Sequence, residues 1–266
     1  MLRNMLAAAR DYFAKTLTIY DLFAMTIVVM VLGHTVALFE LDAWLRMPDR
    51  ILVPVFMIGF GYNVGRPLDK KLLASAVIIL LARWLFFRET LAPVAFFPMS
   101  ILAGFVLVRL TLEKMMPFML KGKAHFWGMN ALLLALLQYS HEWGWEYGTL
   151  CYILAIAGWL CRNEHEVPED VVRVKEYFFF GYVLFLIVNQ GLFTFSPAQF
   201  CVYAAGSAGV FAVMYNLRTF VLNAVRRKRP KDRVARFVRF LGHNSIEVYV
   251  AHTLFFYAFH AWNLML

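Results

Sequence analysis

The residues of this sequence best suited to chemistry are a few ionisable side chains inside long apolar stretches. His34, Arg83 and His252 each lie well within such a stretch, and Asp21 lies near the start of the first one. An ionisable group at the centre of a membrane-spanning helix costs roughly 2.5–3.5 kcal/mol on insertion scales, so such groups tend to face a cavity or a partner. Imidazole exchanges protons near neutral pH and a guanidinium can stabilise a developing anion. The set is therefore suited to general acid–base chemistry.

The last apolar stretch, L-G-H-N-S-I-E-V-Y-V-A-H-T-L-F-F, carries several polar groups in a regular pattern. Ser245, Tyr249, His252 and Phe256 recur at i, i+4, i+7 and i+11, which places them in one stripe of a helix. A hydroxyl, a phenol and an imidazole along an otherwise apolar helix predict that this stripe faces a polar interior.

Each of these residues also has a structural alternative. A single histidine in a membrane helix often makes an interhelical hydrogen bond, which applies to His34 and His252. Arg83 can pair with a carboxylate or a helix end, and Asp21 can cap the first helix. The residue types alone leave both interpretations open.

The elements that must position these residues follow from the composition. The chain has 266 residues, of which 62% are hydrophobic and only 16% charged, far from the usual mix of a soluble domain. Several apolar runs approach the roughly 20 residues that cross a bilayer as a helix, and helices satisfy their own backbone hydrogen bonds in lipid. We therefore expect an all-α, polytopic transmembrane helical bundle with about nine spans, within a range of eight to ten. The predicted spans are 17–39, 51–65, 72–88, 91–109, 124–140, 147–161, 177–195, 198–222 and 241–263.

The domain organisation predicted from this pattern is simple. Residues 1–16 interleave basic and apolar side chains, which predicts an amphipathic segment on the cytoplasmic membrane surface rather than a cleavable signal. Residues 17–266 form a single transmembrane domain, with no repeat or second domain evident. The three cysteines, Cys151, Cys161 and Cys201, have no metal-ligand spacing and indicate neither a disulfide framework nor a metal site.

The distribution of basic residues predicts the orientation of the chain. Alternate predicted loops are basic, so the positive-inside rule places the N-terminus in the cytoplasm, and an odd number of spans leaves the C-terminus at the outer, periplasmic face. Much of the net charge of +9 falls in the run R-R-K-R-P-K-D-R-V-A-R-F-V-R at 226–239. A topogenic, lipid-facing role explains this run without a nucleic-acid partner. The functional alternative is attraction of a polyanionic cytosolic cofactor, such as a nucleotide thioester.

Three segments of the chain resemble the TraX family of pilin-acetylation proteins and, more distantly, the integral-membrane acyltransferase type 3 superfamily. The first is K-T-L-T-I-Y-D-L-F-A-M-T-I-V-V-M-V-L-G-H, similar to the opening helix of TraX proteins. The second, D-R-I-L-V-P-V-F-M-I-G-F-G-Y, resembles an Arg-x-x-x-Pro-x-Phe segment that ends in glycines. The third, L-G-H-N-S-I-E-V-Y-V-A-H, is similar to the closing Gly-x-x-Ser-x-x-x-Tyr-x-x-His helix of the superfamily. Asp21 stands where many type 3 acyltransferases have an arginine, which fits the TraX branch better.

The resemblance implies an acetyltransferase of a bacterial inner membrane. Such an enzyme would take acetyl from cytosolic acetyl-CoA and deliver it to an acceptor at the outer face. The favoured acceptor is the N-terminal amine of a pilin, and the alternative is a hydroxyl of a cell-surface glycan. Membrane lipids are the other expected partners, and no metal is required.

The resemblance also implies roles for individual residues. His34 is the prime catalytic candidate, as a general base or as the carrier of an acyl group. The other expected catalytic residues are His252, Tyr249 and Arg83, of which Tyr249 or Arg83 would stabilise the oxyanion. The residues expected to bind the donor are Asp21, Arg50, Ser245, Arg226, Arg227, Lys228 and Arg229.

Two functions from other classes compete with this one. In a small proton-coupled transporter, Asp21, Arg83 and the two histidines would form a relay or substrate site, although no inverted repeat is evident. In a non-catalytic assembly factor for pili or envelope polymers, the same residues would serve packing.

Overall fold

The computed structural model describes residues 18–39, 42–65, 68–87, 100–142, 147–226 and 233–265. These residues form eleven α-helices and one short 3₁₀ turn, Glu164–Glu166, and no β-strand occurs among them. The helices are α1 (Ile19–Leu38), α2 (Ala43–Tyr62), α3 (Lys70–Phe87), α4 (Ile101–Met119), α5 (Lys123–Glu142), α6 (Leu150–Arg162), α7 (Val174–Phe193), α8 (Pro197–Tyr215), α9 (Leu217–Arg226), α10 (Arg233–His243) and α11 (Ser245–Met265). The predicted all-helical architecture is confirmed, whereas the amphipathic segment predicted at 1–16 lies outside the described residues.

Three helices, α1, α7 and α8, are long and apolar enough to cross a membrane. Large apolar side chains also cover much of the bundle's outside, for example Leu81, Trp84 and Leu85 on α3 and Phe179 and Ile187 on α7. An apolar exterior of this extent suits contact with lipid rather than with water. The fold is therefore consistent with a membrane protein, and the count of nine spans and the orientation of the termini stay predictions.

The centre of the bundle is α6, whose residues from Leu150 to Cys161 are all buried. Its closest neighbour is α2, and the two helices meet at a pair of glycines. A Cβ atom on Gly61 would collide with the Ala155 carbonyl, and one on Gly158 would collide with the Ile58 carbonyl. Small residues at a crossing let two backbones approach closely, which is a common way to pack membrane helices.

At one end of the bundle, α10 packs across the start of α1. A Cβ atom on Gly242 would collide with the Tyr20 carbonyl, so the two backbones touch at this point. The Tyr20 ring lies edge-on to the His243 ring at 5.8 Å between centroids, and the Arg239 guanidinium lies 5.6 Å from the centre of the same tyrosine ring. These contacts fix the position from which α11 departs.

Two predicted boundaries were wrong in ways that matter for the site. The second predicted span begins at 51, but α2 begins at Ala43, with the Asp42 side chain capping it and Pro48 and Pro54 inside it. Prolines are tolerated in membrane helices because neighbouring groups form hydrogen bonds with the backbone groups that the proline leaves without a partner. Asp49 and Arg50, expected before the span, therefore lie on the helix itself.

The fourth predicted span, 91–109, is displaced in the structure. Helix α4 starts after Ser100, whose hydroxyl caps it, and runs to Met119, while 88–99 lie outside the described residues. Arg109, expected in a cytoplasmic loop, lies mid-helix instead, where it donates a hydrogen bond to the Asn63 carbonyl and lies over the Phe60 ring. These two partners, which are distant in sequence, explain how the charge of Arg109 is accommodated within a helix.

Two further predicted spans are each divided. The span 198–222 breaks at Asn216, between α8 and α9, and the Asn216 side chain donates to the Ala212 carbonyl. The span predicted at 241–263 begins at Ser245, after α10 ends at His243. Asn244 separates these two helices and bonds back to the Phe240 carbonyl. Asparagine side chains that bond to a nearby backbone carbonyl favour such helix ends.

Candidate functional site

Two histidines predicted from the sequence meet in the structure. His34 Nδ1 on α1 lies 3.0 Å from His252 Nε2 on α11, and the two rings lie 5.1 Å apart at 35°. The Phe256 ring lies edge-on to both imidazoles, and the Tyr249 ring lies edge-on to His252. The stripe predicted on the last helix therefore does face the interior, towards α1.

The hydrogen-bond partners of this pair determine where its protons lie. His252 Nδ1 is 3.0 Å from the Val248 carbonyl, which can only accept, so Nδ1 carries the hydrogen. In the neutral ring, His252 Nε2 is then an acceptor, and His34 Nδ1 must be the donor to it. It follows that Nε2 of neutral His34 carries a lone pair rather than a hydrogen.

His34 lines a small cavity, and the empty space in it amounts to about 280 Å³ when the open solvent at its mouth is included. The other lining side chains come from four helices and from the turn before α6: Met30, Asp49, Arg50, Val53, Ile101, Tyr147 and Tyr249. A carboxylate, a guanidinium, an imidazole and two phenols thus converge in an otherwise apolar bundle. Ionisable groups gathered in one such cavity are typical of a functional site.

Arg50 is held by three partners around this cavity. Its Nη1 donates to the Tyr147 hydroxyl at 2.9 Å, its Nε lies 3.5 Å from Asp49 Oδ2, and its guanidinium rests 4.7 Å from the centre of the Phe193 ring. Tyr147 itself has a φ of 60°, and the following Gly148 has a φ of 46°. A bulky residue in the left-handed region is uncommon and costs about 1–3 kcal/mol, and such residues cluster at active sites and ligand clamps.

A second, apolar cavity adjoins the first, because Met30, Ile101 and Tyr249 line both. It measures about 300 Å³ counted in the same way. Its remaining walls are Phe56, Leu102, Phe105, Ser245 and Ile246. Ser245, predicted to bind the donor, therefore lies beside the polar cavity rather than in it.

Several predicted site residues lie away from the two cavities. Asp21 caps α1 in a reciprocal capping box with Thr18, in which the Thr18 backbone and hydroxyl both donate to Asp21 Oδ2 at 2.8 Å. Arg83 lies on α3 and lines neither cavity. Arg226 ends α9, and Arg227, Lys228 and Arg229 lie outside the described residues.

Two polar residues that line this cavity, Asp49 and Tyr147, were not singled out from the sequence. Asp49 was missed because the predicted span began after it, although the pair Asp49–Arg50 beside an apolar run was a usable signal. Tyr147 was read as the first residue of a span, and its phenol gave no reason to single it out. Its partner Arg50 is 97 residues away in sequence, so the contact exists only in the folded chain.

Comparison of the chain with models of protein families, with curated proteins and with solved structures finds no match. In the part of the chain that the structure describes, no group of three or more His, Cys, Asp and Glu side chains is placed to hold a metal ion. The site is therefore interpreted from its own geometry.

Proposed function

We propose that this protein is an integral-membrane acetyltransferase that moves an acetyl group from cytosolic acetyl-CoA to an acceptor at the outer face of a bacterial inner membrane. One observation carries the proposal. His34 lies in a polar cavity within an apolar bundle, and its hydrogen bond to His252 leaves Nε2 of the neutral ring unprotonated. An unprotonated imidazole nitrogen in such a cavity can act as the general base of an acyl transfer. The resemblance of the first and last helices to TraX proteins points to the same reaction.

In this mechanism His34 Nε2 removes a proton from the acceptor as its nitrogen or oxygen attacks the thioester carbonyl. The resulting imidazolium donates through Nδ1 to His252, and this bond strengthens with the positive charge. The negative charge on the carbonyl oxygen is stabilised by a phenol of the cavity, Tyr249 or the Arg50-bound Tyr147. Collapse of the intermediate breaks the C–S bond, and the thiolate takes the proton from His34. The ring then returns to its neutral state.

The acceptor and the donor reach this site from opposite faces. The nucleotide part of acetyl-CoA stays at the cytoplasmic side, where Arg226, Arg227, Lys228 and Arg229 attract its phosphates. The acceptor arrives from the outer side, and the N-terminal amine of a pilin is the acceptor that we propose. The charge alternation of the sequence supports this arrangement.

Radiolabelled acetyl-CoA incubated with the purified protein tests the proposal. Acceptor-dependent or stable incorporation of label, lost in His34→Ala, is the expected result. Uptake of label into proteoliposomes without acetylation would point to a carrier instead. Neither incorporation nor uptake, with a folded protein, would leave an assembly role.

A further inference from the structure

Asp49 is the least expected group in the polar cavity. Its side chain is only 3% exposed, and its Oδ1 has no hydrogen-bond partner among the residues that the structure describes. It lines the same cavity as His34. A buried carboxylate is costly unless a partner or bound group compensates it, so an unpartnered oxygen on a residue that lines a cavity indicates a ligand with hydrogen-bond donors.

The fold places this carboxylate directly against the helix that carries His34. A Cβ atom on Gly33 would collide with the side chain of Asp49, so only glycine at this position lets the two helices approach in this way. Gly33 precedes His34 in sequence. The close approach therefore brings a carboxylate to the backbone next to the proposed base.

Arg50 satisfies only part of the hydrogen-bonding capacity of the Asp49 carboxylate. Its Nε lies 3.5 Å from Oδ2, beyond the usual 2.7–3.2 Å of a hydrogen bond. The guanidinium is directed instead to the Tyr147 hydroxyl and the Phe193 ring. In the neutral state for which the hydrogen-bond pattern was derived, the two histidines add no positive charge beside Asp49. The carboxylate keeps the capacity to bind a cation at Oδ1.

We infer that Asp49 binds the protonated primary amine of the acceptor and takes its first proton. This inference rests on the proposed acetyl transfer and assigns a residue of the cavity to the amine acceptor proposed above. An α-amino group has a pKa of about 7.7–8.0 and so reaches the site mostly as an ammonium at neutral pH. An ammonium cannot attack a thioester until it has lost a proton.

The proton balance of the reaction explains why two bases are needed. The ammonium gives one proton to Asp49 Oδ1 and becomes a neutral amine, and its nitrogen lone pair then forms the C–N bond. His34 Nε2 takes the second proton from that nitrogen and delivers it to the departing thiolate. Asp49 afterwards releases its proton to water at the mouth of the cavity. The net reaction converts an ammonium and a thioester into an amide, a thiol and one free proton.

A hydroxyl acceptor would need only His34, since it has a single proton to lose. It would also leave Asp49 with a neutral donor in place of a cation. The cavity, with one imidazole nitrogen that is unprotonated in the neutral ring and one carboxylate oxygen without a hydrogen-bond partner, matches the needs of an amine.

The test uses two tripeptide amides that differ in one group, one beginning with alanine and the other with lactate, which replaces the amine by a hydroxyl. Acetylation by the detergent-purified full chain is followed by mass spectrometry. We expect the wild type to prefer the alanine peptide by about 10- to 100-fold in kcat/KM, the size of a hydrogen bond to a charged group. Asp49→Asn, which keeps the shape of the side chain, should lose most of that preference. Equal use of the two peptides by the wild type, or an unchanged preference in Asp49→Asn, would overturn the inference.

The matched control is Asp42→Asn, which removes a carboxylate from the same helix, outside the cavity. Asp42 Oδ1 accepts from the Trp44 backbone N–H at 2.8 Å, and asparagine caps a helix equally well. This variant should keep the wild-type preference.

A binding measurement separates this inference from the proposed function. Affinity for the two peptides is measured on His34→Ala without any donor, by calorimetry at neutral pH. Tighter binding of the alanine peptide that disappears in the double variant with Asp49→Asn supports the amine site even if no acetyl transfer is ever found. Equal binding of both peptides refutes the amine site, whether or not the enzyme transfers acetyl.

Discussion

Nδ1 of His34 and Nε2 of His252 lie 3.0 Å apart, joining the first and last described helices across 218 residues of sequence. The bond has a fixed direction, because the Val248 carbonyl holds the hydrogen on the far nitrogen of His252. His252 therefore acts on His34 rather than on a substrate, by orienting its ring and selecting its tautomer. This is the role that a hydrogen-bonded partner plays for the base of other catalytic pairs.

Replacement of His252 tests this relationship. His252→Leu removes the acceptor, so we expect acetyl transfer to fall about 10- to 100-fold, the size of a charge-assisted hydrogen bond. His252→Gln restores a carbonyl acceptor and should recover part of the rate. The discriminating measurement is ¹⁵N NMR of labelled histidine, in which His34 should lose its preference for a hydrogen on Nδ1 in His252→Leu. A rate loss without this change of tautomer would mean that His252 only packs.

Replacement of His34 itself should be far more damaging. Removing a general base typically costs about 10²–10⁴-fold in rate, whereas an interhelical hydrogen bond in a membrane protein is worth only about 0.6 kcal/mol on average. His34→Ala should thus nearly abolish transfer while thermal stability in detergent stays near wild type. His125→Ala, an exposed histidine on α5, is the matched control and should keep full activity. Retention of more than about a tenth of wild-type turnover by His34→Ala would make His34 a packing residue.

Tyr147 and Arg50 should act as a unit. Tyr147→Phe removes the hydroxyl that Arg50 Nη1 binds at 2.9 Å and keeps the ring. If this phenol stabilises the oxyanion, kcat should fall about 10²-fold with little change in the KM for acetyl-CoA. Arg50→Lys should cost a similar amount, because lysine cannot both bind the phenol and stack on Phe193, and the double variant should be little worse than either single one. Tyr139→Phe, at an exposed tyrosine, should change nothing.

The glycine contact between α2 and α6 should dominate stability. Gly158→Ala would push a methyl group into the Ile58 carbonyl and the Tyr62 nitrogen, and we expect a loss of about 1–3 kcal/mol or more in the free energy of unfolding. Gly128→Ala is the control, since nothing lies within 4 Å of its Cβ position. Thermal unfolding in detergent should show a lowered midpoint for the first variant and an unchanged or raised one for the second. Equal midpoints would contradict the close contact.

The orientation of the chain can be decided by reporter fusions in a bacterium. We expect the N-terminus and the basic segment 226–239 to be cytoplasmic and Leu266 to be outside, because the basic residues alternate along the predicted topology. Alkaline phosphatase should be active when fused after Leu266 and inactive when fused within this segment. The reverse pattern would invert the whole topology and place the proposed donor and acceptor on the wrong sides.

The sequence was a good guide to the helices and to the inward-facing stripe of the last one. Long apolar runs predict α1, α3, α5 and α7 closely, because the length of a hydrophobic run limits a membrane helix directly. The stripe on α11 was visible for the same reason, since helical periodicity fixes which residues share a face. That this stripe meets α1 depends on tertiary packing, which periodicity does not encode.

The wrong span boundaries lie near a proline and near charged residues that turned out to be within helices. Pro48 and Arg109 both lie within helices, although one predicted span began after Pro48 and another ended at Arg109. Arg109 is accommodated by the Asn63 carbonyl, a partner 46 residues away that no local pattern indicates. The tight contact that admits Asp49 is likewise distant in sequence, because Gly33 on another helix makes it.

The short buried helix α6 has a consequence for the distance that an acetyl group would travel in the proposed reaction. Its thirteen residues rise only about 20 Å, roughly two-thirds of the hydrocarbon thickness of a bilayer. Because protein surrounds it on all sides, neither of its ends needs to reach the lipid headgroups. Tyr147, at its start, would then lie below the level of the outer headgroups, at the base of a recess in the membrane. Two aqueous compartments would be separated at this point by a barrier thinner than the bilayer, short enough for a thioester held from one side to be attacked from the other.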